Sequence, residues 1–314
     1  MNSHPERSEH AAGLKPVVGE SSLTDMHSGS LENHVHHKSQ TDGMHLISKQ
    51  IRKRILKMVC RSGSSHVGTA LSIVDILVAL YFRAMNIDPQ HPLADGRDRF
   101  LLSKGHGCSA LYATLAERGF CDEKTLDGFS VDNGTLWGHS TWKTMPGIEA
   151  STGSLGHGLP IGVGMALAAK LDTKKHRVFV LLGDGECDEG SVWEAALFAG
   201  HKKLDNLMAI VDYNKIQSFG STRDVLDLEP FADKWKACKW SAREVDGHDL
   251  PALAKVLGSL PFEAGKPSVL LANTVKGKGV SFMEHSLDWH YKCPDKNQLG
   301  IALGELGDSG DSDA

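Results

Sequence analysis

"GDGECDEGSVWEAALFAG", residues 183–200, follows the apolar run Val178–Leu182 and sets Asp184 between two glycines. A second apolar run, Leu207–Val211, leads into Asp212-Tyr213-Asn214. Short continuous apolar runs bounded by glycine or polar residues mark strands covered on both faces. Ser191–Lys203, between the two runs, reads as helix. Strand, helix and strand at this spacing make a βαβ unit, with parallel strands and a right-handed crossover. Ligands of open parallel sheets bind beyond the carboxyl ends of the strands, where both Asp184 and Asn214 fall.

The residue types at these two strand ends suit one kind of ligand. Gly183 and Gly185 permit a tight turn and a close backbone approach. A helix N-terminus just beyond offers N–H groups to a phosphate. Asp184 would repel a bare phosphate, so its presence there implies a divalent cation between the two. Magnesium takes about six oxygens near 2.1 Å and commonly shares one or two protein carboxylates with substrate phosphates. Asn214 can add its amide oxygen and Ile216 its carbonyl. The pattern also fits an ordinary strand-to-helix turn, with Asp184 as an N-cap and Asn214 as a turn residue.

Working outward, Ile47, Ile51, Ile55 and Val59 recur every four residues, which predicts a helix with one apolar face. "LSIVDILVALYF" (71–82) reads as a second, fully buried helix, "RFLL" as a strand ending in the glycine loop "SKGHG", and Leu111–Arg118 as a helix. "ASTGSLGHGLPIG" is a glycine-rich loop that leads into the strong helix formers of "VGMALAAKL". "WSAREVDG" and "PSVLLANTV" supply two further strands. These elements predict one α/β domain, helices covering both faces of a parallel sheet.

The boundaries follow from composition. Residues 1–42 are rich in Ser, Glu, His and Gly without an apolar period and read as a disordered tail. His34, His36 and His37 lie in it, and a solvated tail explains them better than a metal site. The ordered domain is expected over 43–295, and 296–314 reads as a flexible acidic tail. A formal charge of −5 gives no basic field for nucleic acid or an anionic membrane. No apolar run reaches the roughly 20 residues of a membrane span, and the polar N-terminus has no signal-peptide core. The six scattered cysteines form no C-x-x-C pair, so a reducing, cytoplasmic setting is expected. Cys187 alone lies near the predicted site.

Several segments carry a family resemblance. Gly183-Asp184-Gly185, a spacer over 186–213, and Asn214 resemble the thiamine diphosphate motif. "SSHVGTALS", "LSKGHGCSALYATL", "GHSTWKTMPGIEASTGSLGHGLPIGVGMALAAK" and "NTVKGKGVSFMEHSLDWHYKCP" resemble, in order, successive segments of the transketolase family. The resemblance runs from about Met44 to Pro294. It implies the thiamine diphosphate-binding fold, with a central, mostly parallel sheet and helices on both faces. A full-length transketolase is about twice as long and adds a pyrimidine-binding and a C-terminal domain. The chain is therefore similar to the N-terminal subunit of a split transketolase, a transferase of two-carbon ketol units between sugar phosphates. The alternatives are a subunit of another thiamine diphosphate-dependent carbon–carbon bond-forming synthase and a non-catalytic cofactor-binding subunit.

The resemblance also implies roles. Asp184, Asn214 and the Ile216 carbonyl would hold Mg2+, or Ca2+ or Mn2+ in its place. Gly183, Gly185, Glu186, His106 and His290 would surround the diphosphate. Gly153, Ser154 and Leu155 would pack near the rings, and Glu189 would lie between the two cofactor sites of an assembly. His66, His106, His139 and His290 would bind sugar oxygens and move protons, as imidazoles can near neutral pH. The implied partner is a C-terminal subunit carrying the pyrimidine-binding domain, in an α2β2 heterotetramer. Two departures from the family, "HSTWKT" and Tyr291 after His290, fall where substrate would be read, so the resemblance does not carry pentose-phosphate specificity with it.

Overall fold

The computed structural model describes residues 28–307, with side chains described from residue 41. A compact unit begins at Thr41. Its centre is a five-stranded, all-parallel sheet. In chain order the seven strands are β1 (Arg99–Leu102), β2 (Val178–Gly183), β3 (Leu207–Tyr213), β4 (Ile216–Gln217), β5 (Gly220–Ser221), β6 (Ser241–Asp246) and β7 (Ser268–Asn273). The sheet runs β1-β2-β3-β7-β6, with β6 a largely exposed edge strand, while β4 and β5 form a separate two-stranded antiparallel ribbon.

Side-chain alternation divides the core in two. Phe179 and Leu181 of β2, Met208 and Ile210 of β3 and Leu270 of β7 join one cluster. Val178, Val180, Leu182, Leu207, Ala209, Val211, Val269 and Leu271 join the other. Successive strand residues point to opposite faces, so helices must cover both. The first face is covered by α1 (Ser28–Ser62) from Met44 onward, α2 (Val67–Ser72), α3 (Val74–Ala79) and α4 (Cys108–Arg118). The second is covered by α5 (Gly158–Leu171), α6 (Gly190–His201) and, after the short α7 (Thr222–Val225), α8 (Phe231–Ala237). The helix α9 (Leu250–Gly258) packs Leu250, Leu253 and Leu257 on the first face. The predicted α/β architecture is the one observed.

Three expectations differ in detail. Helical backbone begins at Ser28, inside the stretch read as a disordered tail; residues 1–27 lie outside the described residues, as do the side chains of His34, His36 and His37. The segment 71–82 is not one helix: α2 ends at Ser72, whose hydroxyl bonds back to the Thr69 carbonyl, and α3 passes into a π-helical turn at Leu80–Ala84. The stretch from 296 is not a flexible tail throughout, because α10 (Lys296–Glu305) is closed by an Asp295/Gln298 capping box. Ala302 and Leu306 of that segment are buried, and Glu305 accepts both the amide and the hydroxyl of Ser281.

Candidate active site

The register aligns the carboxyl ends of the strands: Gly183 pairs with Asp212, and Tyr213 with Asn273. The loops that follow open on one cleft of about 250 Å3, lined by His66, His106, His139, Gly153, Leu155, Asp184, Gly185, Asn214, Ile216, Lys276 and His290, among others. Loops after β1, β2, β3 and β7 thus bring together residues far apart in sequence. A wider groove of about 830 Å3, past Phe282, Trp289 and Ile301, gathers no comparable donor set.

The loops close tightly for steric reasons. A Cβ on Gly185 would stand 2.7 Å from that of Gln217, and one on Gly156, where φ is +80°, would meet Ser191 Oγ at 2.4 Å. Gly183 has no such constraint, since its Cβ would find only ordinary contacts at 3.9 Å. A short 3-10 turn, Gly185–Asp188, intervenes before α6, which starts at Gly190, one residue before the Ser191 expected from the sequence. Asp184 does cap that turn, accepting Gly185 N–H at 2.8 Å, and also accepts Lys215 N–H. Cys187 is sealed in the core with its thiol on the Gly183 carbonyl, and burial pushes that thiol up, so it takes no part in the site.

Asp184 is the electrostatic centre. Burial, and then the neighbouring Asp212 carboxylate, raises its carboxyl to about 6. Burial alone would raise Asp212 too, but the Lys104 ammonium holds it down in an ion pair, while Ser72, Thr274 and Asn214 also donate to it. Asn214 turns its amide oxygen to the Ile216 N–H at 3.1 Å. The Ile216 carbonyl accepts Lys276 Nζ at 2.7 Å. Burial, reinforced by Lys104, lowers Lys276 to about 8.

The donor set fits a hard divalent cation. A carboxylate, an amide oxygen and a backbone carbonyl meet at the cleft, and each oxygen that already accepts a bond keeps a second lone pair. A buried carboxylate held against another carboxylate gains from a cation at that point. Two buried cations, Lys104 and Lys276, lie alongside and suit the negative charge of a diphosphate. The set contains one carboxylate rather than a cluster of acidic or histidine ligands, and among the described residues no group of three His, Cys, Asp or Glu is placed to hold a metal.

The four predicted histidines do converge. Ring centroids of His66 lie 5.2 Å from His106, 6.2 Å from His139 and 5.1 Å from His290. His66 adopts a left-handed conformation, φ 71°, and its N–H bonds the His290 carbonyl at 3.0 Å. Burial, then the charges of His139, Lys276 and Lys104, lowers His66 to about 4. Burial, then Lys276, lowers His290 to about 3, and burial lowers His106 as well. The imidazoles of His66, His106 and His290 are therefore neutral near pH 7; Nδ1 of His66 lies 3.0 Å from Ser65 Oγ and Nδ1 of His290 3.1 Å from Lys276 Nζ, which leaves the other ring nitrogen of each for a sugar hydroxyl.

A stability consequence follows. A histidine near 6.5 when unfolded but depressed when folded binds its proton more readily in the unfolded chain. Its contribution is complete above about 6.5 and is lost as pH falls toward about 4. Melting temperature should fall over that window, and fall less in a His66→Gln/His290→Gln variant. Scanning calorimetry from pH 7 to pH 4 checks this; parallel curves for the two proteins would contradict it.

Glu186, Ser154 and Glu189 are not free donors inside the cleft of the single chain. Glu186 reaches the cleft wall, but its carboxylate is spent on Ser103 Oγ and on the amides of Gly156 and Gly183 at 3.0 Å, which tie three loops together. It shapes the cradle instead of offering a free ligand. Ser154 and Glu189 are exposed and do not line the cleft. Sequence reading missed Lys104, Lys276, Asp212 and Thr69. Asp212 gave the clearest signal, a charge at the end of an otherwise apolar strand, which is rarely buried without a partner.

Comparison with known proteins agrees with this geometry. The family model described as "Transketolase, thiamine diphosphate binding domain" matches residues 44–300. One of the subunits of the apulose-4-phosphate transketolase of Phocaeicola vulgatus is 42% identical over 267 residues, covering 85% of this chain and 95% of that relative. The 6-deoxy-6-sulfo-D-fructose transketolase subunit SqwG of a Clostridium species is 44% identical over 256 residues, covering 82% and 93%. The solved transketolase from Leishmania mexicana superposes with a TM-score of 0.79 at 30% identity, over 84% of this chain but only 41% of that one. The chain thus spans nearly the whole length of the subunit relatives and about two fifths of the solved transketolase. It belongs to the transketolase family, as a thiamine diphosphate-binding domain of that family.

Proposed function

We propose that the chain is the cofactor-diphosphate half of a two-chain transketolase, which moves a two-carbon ketol unit from a ketose phosphate to an aldose phosphate. The observation that carries this is the cleft itself, where the oxygens of Asp184, Asn214 and Ile216 stand beside two buried lysines and four imidazoles. Asp184, Asn214 and the Ile216 carbonyl would hold Mg2+. Gly185, His106 and Lys276 would face the diphosphate, and Gly153 and Leu155 the ring side. Thiamine diphosphate, when bound, supplies the carbon nucleophile that accepts and passes on the ketol unit.

The chain's own residues bind and handle protons. His66 presents a neutral imidazole that can accept a proton from a substrate hydroxyl or donate one back, His290, whose Nδ1 accepts from Lys276 Nζ at 3.1 Å, donates to substrate oxygen from Nε2, and His139 adds a third ring beside them. A second pocket of about 340 Å3 opens beside the cleft, sharing His66, His106 and His139 and adding Ser64, Ser65, Ser109 and Ser130. Its hydroxyl and imidazole lining, free of lysine and arginine, suits the uncharged hydroxyl-bearing part of a sugar. Tyr291, one of the departures from the family, lines this pocket and donates its hydroxyl to the Ser218 carbonyl at 3.0 Å, beside the cleft.

A partner chain with the pyrimidine-binding domain completes this reading. The relatives named as subunits are those that the chain matches nearly end to end. Apolar side chains stand exposed on the second helical face, Ile161 and Leu171 on α5 and Leu197 and Phe198 on α6, and aromatic ones at Trp137, Trp142 and Phe219. We place two copies of each chain in the assembly, in the cytoplasm. No helix among the described residues is long and apolar enough to cross a membrane.

The test is metal dependence. Calorimetric titration of the full chain with thiamine diphosphate should give saturable binding with Mg2+, and at least tenfold weaker binding in EDTA. Equal affinity in both would overturn the bridging role of the cation.

A further inference from the structure

Behind the cleft, and outside its lining, two polar side chains, Arg52 and Asp75, are buried among apolar helices, and a third, His248, joins them from a partly exposed turn. Arg52 of α1 forms a two-pronged ion pair with Asp75 of α3, at 3.1 and 2.7 Å. His248, in the turn between β6 and α9, places Nδ1 2.7 Å from the other side of this pair, on Asp75 Oδ2. Arg52 is 6% exposed and Asp75 5%. Burying such a group costs more than packing apolar residues of the same volume, so its retention calls for a use.

Two further bonds of the group go to a single loop. His248 Nε2 accepts the Val275 N–H at 2.9 Å, and Arg52 Nε donates to the Lys278 carbonyl at 3.0 Å. An imidazole whose Nε2 accepts must carry its proton on Nδ1, and Asp75 is the acceptor that fixes this tautomer. The two gripped residues flank Lys276. Inside the loop, Gly277 has φ +82°, and a Cβ there would stand 2.2 Å from the Met283 carbonyl. The loop therefore has one tight conformation, held from behind at both ends. Lys276 leaves it to reach the Ile216 carbonyl at 2.7 Å and His290 Nδ1 at 3.1 Å.

We infer that Arg52, Asp75 and His248 are a clamp that sets Lys276 against the diphosphate end of the cofactor, with His248 as its positioning residue. The inference rests on the cofactor reading above. His248 touches no part of the cleft, so it acts on the ligand only through the backbone of Val275 and the side chain of Lys276.

The experiment compares two amides of different reach. In His248→Gln the side-chain oxygen still extends to the Val275 N–H. In His248→Asn the amide stays beside Asp75 but falls short of Val275, and Asp75 keeps Arg52, so both variants retain a partner for the buried carboxylate. Thiamine diphosphate with Mg2+ is titrated calorimetrically into the full-length chain, and melting temperatures are recorded alongside. His248→Gln should bind within about twofold of the parent and His248→Asn about tenfold more weakly, at similar melting temperatures. Lys276→Met should also weaken binding, and adding His248→Asn to it should cost less than about a further twofold, because the two act through one contact. Parental affinity in His248→Asn, or losses that multiply in the double variant, would overturn the clamp while leaving the cofactor reading intact. A parent chain that binds no thiamine diphosphate would overturn the cofactor reading and the clamp with it.

Discussion

Asp184→Ala should lose thiamine diphosphate affinity by two orders of magnitude or more in the presence of Mg2+, without unfolding. Even residues that only support a metal ligand typically cost ten- to a hundredfold in affinity when removed, and Asp184 would be a direct ligand. It is also the one carboxylate of the donor set, and the neighbouring Asp212 is already paired with Lys104. The fold should survive because the side chain faces the cleft. Its loss frees only the amides of Gly185 and Lys215, which water in the cleft can serve, and it relieves the repulsion from Asp212. Asp184→Asn separates the effects: it keeps an acceptor oxygen and removes the charge, so its binding should fall nearly as far. Calorimetry reads the affinity and circular dichroism the fold. Parental affinity in both variants would remove Asp184 from the metal site.

The chain alone should transfer no ketol unit at a rate within about 10^3 of the rate with its partner. General acid–base assistance typically contributes about 10^2–10^4, and under the two-chain proposal the group that activates the cofactor would come from the partner's pyrimidine-binding domain. The cleft gathers oxygens, lysines and imidazoles for the diphosphate and the sugar, but one side of it is open to solvent. A mixture of the chain, its partner, Mg2+, cofactor, a ketose phosphate and an aldose phosphate should be active, and omission of either chain should abolish transfer. Comparable rates with and without the partner would contradict the two-chain reading.

The sequence carried the sheet because its central strands are apolar on both faces, and a run such as Val178–Leu182 has few alternatives. It carried the ligand end of the sheet because Gly-Asp-Gly and Asn214 stand at the ends of neighbouring strands. It did not carry the second layer of charge. Lys104 and Lys276 lie in glycine-rich loops where a lysine is ordinarily solvated, and only the three-dimensional closure of those loops buries them. Glu186 was read as a ligand because it follows the motif directly. Its carboxylate turns inward because three loop donors, Ser103, Gly156 and Gly183, converge where it sits. The helix α10 was missed because the acidic residues beyond it masked its apolar side, Leu299, Ala302, Leu303 and Leu306, which packs on the first core. The clamp behind Lys276 had no local signature, since Arg52, Asp75 and His248 come from three separate elements.

The central claim is that the carboxyl ends of β2 and β3 hold a cation for a diphosphate. Crystals of the full chain grown with Mn2+ and thiamine diphosphate would test it by anomalous scattering. The account predicts one strong manganese peak within ligand distance of Asp184, the Asn214 amide oxygen and the Ile216 carbonyl, with the diphosphate density beside it. A manganese peak elsewhere, or a diphosphate bound with no metal between it and Asp184, would contradict it.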